Sequence, residues 1–208
     1  AVWGAQSEAL QELLAAERIL ATQDQNTPQT QKALMKVYLA RTELWLHSGF
    51  HAKGIADVNR ALTLAEQLGA SAQIARGLIF RTRFRLLAQG FHEAQQDSER
   101  AAELARSVED HEALAQALWL QARALFAIGK RHQASQILIR SINSGAVQDP
   151  VIRIEMELDA ARILLADFQR DRAFEHIQHA HQQAEKLGDP VILKQTLMLI
   201  GHLNVLYG

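Results

Sequence analysis

Apolar residues recur along most of the chain at steps of three and four, the spacing that lines one face of an α-helix. One such run, with a single polar member, is Leu34, Val37, Tyr38, Arg41 and Trp45. No stretch shows the sustained alternation and β-branched enrichment that are typical of strands. The three prolines, Pro28, Pro150 and Pro190, fall between the periodic segments, and proline is poorly tolerated inside a helix. The pattern therefore predicts an all-α protein.

The predicted helices repeat with a period close to 40 residues. The segment Asp149-Pro150-Val151-Ile152 returns 40 positions later as Asp189-Pro190-Val191-Ile192, and Gly49-Phe50-His51 returns as Gly90-Phe91-His92. Small residues follow the same period in two series seven residues apart: Gly54, Ala94, Ala134 and Ala173, then Ala61, Ala101, Ser141 and Ala180. A period of this length with two helices per unit predicts a helical-repeat solenoid, in which small residues let neighbouring backbones approach closely. A glycine after the first helix of each pair would supply a left-handed cap.

The repeat divides the chain into four helix pairs between about residues 29 and 187. We expect the pairs at about 29–48 with 52–68, 72–89 with 92–107, 111–128 with 131–144, and 151–167 with 171–187. A helix near 6–23 precedes them, and an unpaired helix follows at about 191–207. These elements predict a single domain over residues 1–208, wound as a right-handed α-α superhelix.

The repeated residues resemble the tetratricopeptide repeat. The first pair matches its pattern at Tyr38, Trp45, Gly49, Gly54, Val58 and Arg60-Ala61-Leu62. The third pair matches it at Leu118, Ala122, Leu125, Gly129, Ala134, Leu138 and Arg140-Ser141-Ile142. The period exceeds the roughly 34 residues of that family, and Phe168 replaces the turn glycine of the fourth pair. Such long units are similar to the sensor arms of MalT-like bacterial regulators.

The amino-acid composition limits the classes of partner that we expect for the protein. There are 22 Lys and Arg against 23 Asp and Glu, a net charge of −1, so nothing favours direct binding of nucleic acid. The chain has no cysteine, which suits a reducing compartment and favours a cytoplasmic location. No apolar stretch approaches the roughly 18 residues of a membrane helix, so we expect no membrane partner.

The sequence offers no catalytic motif and implies no cofactor. It lacks the nucleophile elbow, the phosphate-binding loop and the dinucleotide fingerprint. His176 and His179 share a predicted helix face, but no third ligand accompanies them, so we expect no metal there. Glu155 and Asp159, with Arg162 nearby, are interpreted as a charge-patterned surface. We therefore expect a protein that is not an enzyme.

The resemblance implies that the first helices of the pairs line a concave groove. The candidate ligand-binding residues in that register are Phe80, Phe84, Trp119, Arg123, Phe126, Arg162 and His202. Apolar side chains flanked by Arg123 and Arg162 could hold an amphipathic helix or an extended peptide with an acidic group. In the alternative, these side chains pack on one another and form core, as aromatic stripes at helical spacing often do.

Two functions remain open from the sequence. The first is a scaffold whose concave face binds a protein or peptide segment. The second is the sensing arm of a larger MalT-like signalling or transcriptional regulator that binds a small-molecule effector. The parent sequence beyond Gly208 would separate them, because a nucleotide-binding module and a helix-turn-helix would favour the sensor.

The last helix generates a prediction about self-association. A repeat array normally closes with a polar-faced helix, yet Leu193, Leu197, Ile200, Val205 and Leu206 give this one an apolar surface. We expect the chain to be a fragment of a longer protein that self-associates through this helix. Light scattering over a concentration series should show growth of the particle, and Leu197→Ser with Val205→Ser should abolish it. A strictly monomeric particle that ignores both changes would contradict the prediction.

Overall fold

The computed structural model describes residues 2–207, with side chains described from residue 6 to residue 201. Over that range the chain forms ten α-helices joined by turns and loops, with no strand. The helices are α1 (Val2–Ala21), α2 (Pro28–Ser48), α3 (His51–Gln67), α4 (Ser71–Leu87), α5 (Phe91–Ser107), α6 (His111–Ala127), α7 (Arg131–Asn143), α8 (Pro150–Ala166), α9 (Arg170–Leu187) and α10 (Pro190–Tyr207). The predicted all-α class is confirmed, and the predicted helix ends agree to within a few residues.

Side-chain caps explain why three helices begin at proline. The carboxylate of Asp149 accepts hydrogen bonds from the backbone N–H groups of the second and third following residues, at 2.8 and 3.1 Å. Asp189 repeats these bonds at 2.8 and 3.2 Å, and the Thr27 hydroxyl accepts one from Thr30 at 3.3 Å. Proline suits the first helical position because its missing N–H has no partner there. The repeated Asp-Pro segment is therefore a helix start.

The turn inside each pair contains one residue with left-handed backbone, always five positions before the first small residue of the next helix. These residues are Gly49, Gln89, Gly129 and Phe168, with φ of 76°, 61°, 86° and 61°. The sequence alignment of Gly49 with Gly90 is wrong, since Gly90 has φ of −80°. Gln89 has the left-handed backbone instead, because it lies at the constant spacing of five residues before the small residue. A side chain in this conformation costs about 1–2 kcal/mol.

The chain divides into two compact units, Ala1–Ala113 and Leu114–Gly208. In the first unit α2 packs on α3 and α4 on α5, while α1 contacts α2 and α3 contacts α4. A Cβ atom added to Gly54 of α3 would lie 2.1 Å from the ring of Phe84 on α4, so the ring rests on bare backbone. At this position a small residue allows the two helices to come into close contact, as the sequence predicts.

In the second unit α8 packs on both α7 and α9, and α9 also packs on α10. Its core includes Ile154 and Leu158 of α8 with Ala180 and Ala184 of α9, against which Ile192 and Leu193 of α10 pack. The Ser141 hydroxyl of α7 donates to the Ala115 carbonyl of α6 at 2.7 Å. On α10 Leu197 is exposed, whereas the side chain of Val205 lies outside the described residues. The single domain and the self-association stay predictions.

Arginine–aspartate pairs tie the helices of the first unit together. Arg41 of α2 donates two hydrogen bonds of 2.6 Å to Asp57 of α3, and Trp45 donates a third to the same carboxylate at 2.8 Å. Forty residues later, Arg81 of α4 bonds Asp97 of α5 at 2.7 and 2.8 Å. Both aspartates are buried, so their charges need these partners.

Arg41 also reaches the first helix. It donates a hydrogen bond to Glu17 of α1, so one guanidinium contacts carboxylates from two neighbouring helices. Hydrogen bonding to Asp57, more than the opposing effect of burial, raises the pKa of Arg41 above its ordinary value. Burial by itself would raise the pKa of Glu17, but the hydrogen bonds and charges of its partners outweigh that effect and lower it.

The left-handed turns generate the first structural prediction. The Phe168 side chain is 87% exposed, so replacing it with glycine loses little burial and relieves the strained backbone. Phe168→Gly should raise the free energy of unfolding by up to about 1 kcal/mol, because the relief exceeds the extra entropy of glycine in the unfolded chain. Gly129→Ala at the equivalent turn should lower it by about 1 kcal/mol. Urea unfolding checks both, and a loss of stability in Phe168→Gly would contradict the account.

Glu17 generates a prediction about pH. Its lowered pKa means that its contribution to stability is complete above the ordinary value of 4.5 and is lost as the pH falls through the folded-state value. Glu17→Gln should therefore cost about 1 kcal/mol at pH 7 and much less at pH 3. Urea unfolding at both values is the measurement. Glu12→Gln, at an exposed position of the same helix, is the control, and equal losses in the two variants would exclude a special role for Glu17.

Candidate functional site

Three of the candidate residues meet in one cleft of the second unit. Trp119, Arg123 and Arg162 line a cleft of ≈ 440 Å³ between α6, α8 and α10. The other lining residues are Glu155, Leu158, Asp159, Gln195, Met198 and Leu199. Each helix contributes residues three or four apart, so one face of each helix is turned toward the cleft. α6 and α8 are the first helices of their predicted pairs, and α10 is the predicted unpaired helix, which follows them in the register of a first helix.

Asp159 of α8 lies at the centre of the polar contacts. One oxygen of its carboxylate accepts a hydrogen bond from the indole N–H of Trp119 at 2.9 Å and lies 3.4 Å from Nε of Arg123. The other oxygen accepts a hydrogen bond from Arg162 at 2.9 Å. One carboxylate therefore holds an indole and two guanidinium groups from two helices.

Trp119 provides the base on which Arg123 rests. The indole is 1% exposed, and the guanidinium carbon of Arg123 lies 5.6 Å from the centre of its ring. That distance is within the range of a cation–π contact. The side chains of Arg123 and Arg162 are 41% and 50% exposed, so both keep contact with solvent.

The cleft combines these charges with apolar side chains. Leu158 is buried in its wall, Leu199 is half-buried and Met198 is exposed. Two arginines and the two carboxylates of Glu155 and Asp159 give the lining a formal charge of zero. Such a surface suits a ligand with an apolar side chain next to a charged group.

The other candidate ligand-binding residues are not among those that line the cleft. Phe80 and Phe84 are buried in the first unit, where Phe84 is 0% exposed, which agrees with the alternative that such side chains form core. Aromatic residues at helical spacing have the same sequence pattern in a core and in a groove. Phe126 is half-buried on α6 and does not line the cleft. The side chain of His202 lies outside the described residues.

The sequence pattern predicts Asp159 only as part of a charge-patterned surface. The available signal was its position 40 residues after Trp119, which places the two residues at the same level of successive first helices. Spacing alone could not show that the carboxylate bonds the indole, because that depends on side-chain conformation.

The histidines build no metal centre among the described residues. His176 of α9 bonds the buried Glu157 of α8 through Nδ1, and His181 bonds Thr196 of α10 at 3.0 Å. Within the part of the chain whose side chains are described, no three His, Cys, Asp or Glu residues come together as metal ligands. The described helices also include none that is long and apolar enough to cross a membrane.

Sequence comparison finds no matching family model and no matching curated protein. Solved structures do match. The apo form of RapI superposes with a TM-score of 0.79 at 12% identity, over 95% of this chain and 71% of RapI. The chain has a tetratricopeptide-like helical-repeat fold.

Two further structures support the same tetratricopeptide-like fold. BtubC (BKLC) from P. vanneervenii gives a TM-score of 0.68 at 13% identity, over 89% of this chain and 74% of BtubC. A Rap protein complexed with competence and sporulation factor gives 0.70 at 14% identity, over 96% of this chain and 60% of that protein. Identities this low show a shared fold alone. The MalT-like resemblance stays a hypothesis.

Proposed function

We propose that this protein is a non-catalytic binding module that holds a protein or peptide segment in the cleft between α6, α8 and α10. The observation behind the proposal is the meeting of Trp119, Arg123 and Arg162 around Asp159 in a cleft that reaches solvent. The Rap neighbour that is complexed with competence and sporulation factor supports it, since a similar fold there binds a partner.

The chemistry of the lining favours a segment with an acidic group beside an apolar one. Arg123 and Arg162 share one aspartate, and their side chains are still 41% and 50% exposed, so a ligand can reach them. Guanidinium binds carboxylate through parallel hydrogen bonds. Met198 adds a flexible apolar surface that adapts to different side chains. An amphipathic helix or an extended peptide would satisfy both features.

The open cleft favours a segment over a small molecule. Its volume of ≈ 440 Å³ falls within the range of about 300–1,000 Å³ found for small-ligand sites. Such sites bury most of their ligand, however, whereas both arginines here are at least 41% exposed. The alternative function, an effector-sensing arm of a MalT-like regulator, gains no support from the structural neighbours.

Removing the two arginines tests the proposal. The probe is a synthetic pentapeptide library with Glu fixed at the third position and Leu, Ile, Val, Phe or Ala at the others. Wild-type protein on a support should retain it, and Arg123→Ala with Arg162→Ala should reduce retention at least tenfold, because two charge-assisted contacts are lost. The melting temperature should stay within a few degrees, since both side chains are largely exposed.

A matched control variant distinguishes binding at the cleft from a general effect of net charge. Arg140→Ala with Lys186→Ala removes the same charge from exposed positions of the second unit and should leave retention unchanged. Equal losses in the two double variants would refute a specific site, as would wild-type protein that retains no peptide.

A further inference from the structure

The charged side chains of the cleft follow one another along α8. Glu155 lies about one helical turn before Asp159, and Arg162 lies about one turn after it. Because an α-helix rises about 1.5 Å per residue, Glu155 and Arg162 are separated by about 10 Å along the helix axis. Both residues are exposed, so a ligand in the cleft can reach them. The cleft therefore has an acidic end at Glu155 and a basic end at Arg162.

Each end has a second polar residue from a neighbouring helix. Nε of Arg123 on α6 lies 3.4 Å from Asp159, which also accepts a hydrogen bond from Arg162, so the two guanidinium groups are gathered at one carboxylate. Gln195 of α10 lies 40 residues after Glu155, at the same position of the repeat, and lines the cleft with it. The acidic end thus has a carboxylate and a neutral amide, whereas the basic end has two arginines that share one aspartate.

Apolar side chains line the cleft between its charged ends. Leu158, next to Asp159 on α8, is 1% exposed. Met198 and Leu199 of α10 lie 40 residues after these two positions. Met198 is 59% exposed, so it can contact a ligand directly. A segment that reaches both charged ends must therefore cross an apolar surface.

We propose that the cleft binds a bipolar segment, in which a basic side chain contacts Glu155, an acidic side chain contacts Arg123 and Arg162, and an apolar side chain lies between them. This inference rests on the proposed function and adds a basic group to the ligand of the same site. Glu155 and Asp159 already balance the two arginines, so a ligand with an acid alone would leave the filled cleft with a net negative charge. A ligand with one acid and one base leaves it neutral.

The contact at Glu155 contributes more to specificity than to affinity. A carboxylate has two oxygens with about four acceptor positions, so other contacts of Glu155 leave room for a ligand ammonium or guanidinium group. An ion pair at such an exposed position changes affinity by up to about fivefold. A segment bound in the reverse direction would place each of its charges beside a like charge of the cleft, which is unfavourable. The charge of Glu155 therefore selects both the composition and the direction of the segment.

Pentapeptides that carry a second charged residue test this inference. Each library keeps Glu at the third position and apolar residues elsewhere, except for one variable residue at the first or the fifth position. That residue is Lys, acetyl-lysine, which has lost the charge, or Glu. The first, third and fifth side chains share one face of an extended peptide, so the two placements cover both directions of binding. Both termini are blocked, so that only these side chains carry charge.

Wild-type protein should retain the Lys library about fivefold better than the acetyl-lysine library at one of the two placements, and should retain the Glu library least. Glu155→Gln, which removes the charge and nearly keeps the shape, should bring the ratio of Lys to acetyl-lysine close to one. Glu155→Lys should reverse the preference, so that the Glu library is retained best. Glu175→Gln removes the same charge from an exposed position of α9 and should leave the wild-type ratio unchanged.

Melting temperatures confirm that each variant is folded. Should Glu155→Gln not fold, Glu155→Asp provides the second test, since it keeps the charge and should keep the preference for Lys. The comparison of Lys with acetyl-lysine on wild-type protein needs no variant at all.

The outcomes separate this inference from the proposed function. Retention of the libraries by wild-type protein without a preference for Lys overturns the bipolar ligand and leaves the binding module standing. A preference for Lys that persists in folded Glu155→Gln, that Glu175→Gln reduces equally, or that Glu155→Asp loses overturns the role of Glu155. Failure of wild-type protein to retain any library overturns both proposals.

Discussion

Close contact between helices at small side chains is the constraint on which the structure depends. The eight residues of the two small series are all buried, and none is larger than serine. At Gly54 the neighbouring Phe84 ring occupies the space of a Cβ atom. The constraint extends into the turns, because the second helix must present its small residues at the correct level. Gln89 and Phe168 accordingly adopt a left-handed backbone that glycine would adopt at lower cost.

The same arginine–aspartate chemistry serves two purposes on this scaffold. In the first unit Arg41 contacts carboxylates of α1 and α3, and burial makes these pairs necessary to the packing. In the second unit the positions that correspond to Arg41 and Asp57 hold Gln121 with Ile137, and Ala160 with His176. His176 bonds the buried Glu157 there, and a separate cluster around Asp159 opens to solvent. Burial and geometry, rather than residue type, distinguish a structural ion pair from one available to a ligand.

Local pattern sufficed to predict the helices, their period and part of the cleft. The proline starts and the small-residue series follow from backbone sterics, which act within a few residues, and the repeat register placed Trp119, Arg123 and Arg162 on successive first helices. The same reasoning could not separate Phe84, whose ring packs on Gly54, from Trp119, whose indole N–H bonds Asp159 at the cleft, because both rings have the same helical spacing and both are buried. It also misaligned Gly49 with Gly90, since a glycine is a stronger local signal than the spacing that selects Gln89. The sequence interpretation of Asp159 as a surface residue missed its role because its bond to Trp119 joins residues 40 positions apart.

The central claim is that ligands bind at the Asp159 cluster and not at the buried pairs. Two indole N–H groups report on these places separately, since Trp119 donates to Asp159 and Trp45 donates to Asp57. Heteronuclear NMR of 15N-labelled protein during addition of the Glu-centred library is the most direct measurement. The account predicts a shift of the Trp119 indole resonance while that of Trp45 stays in place. Binding that shifts the Trp45 resonance, or that leaves the Trp119 resonance unmoved, would contradict it.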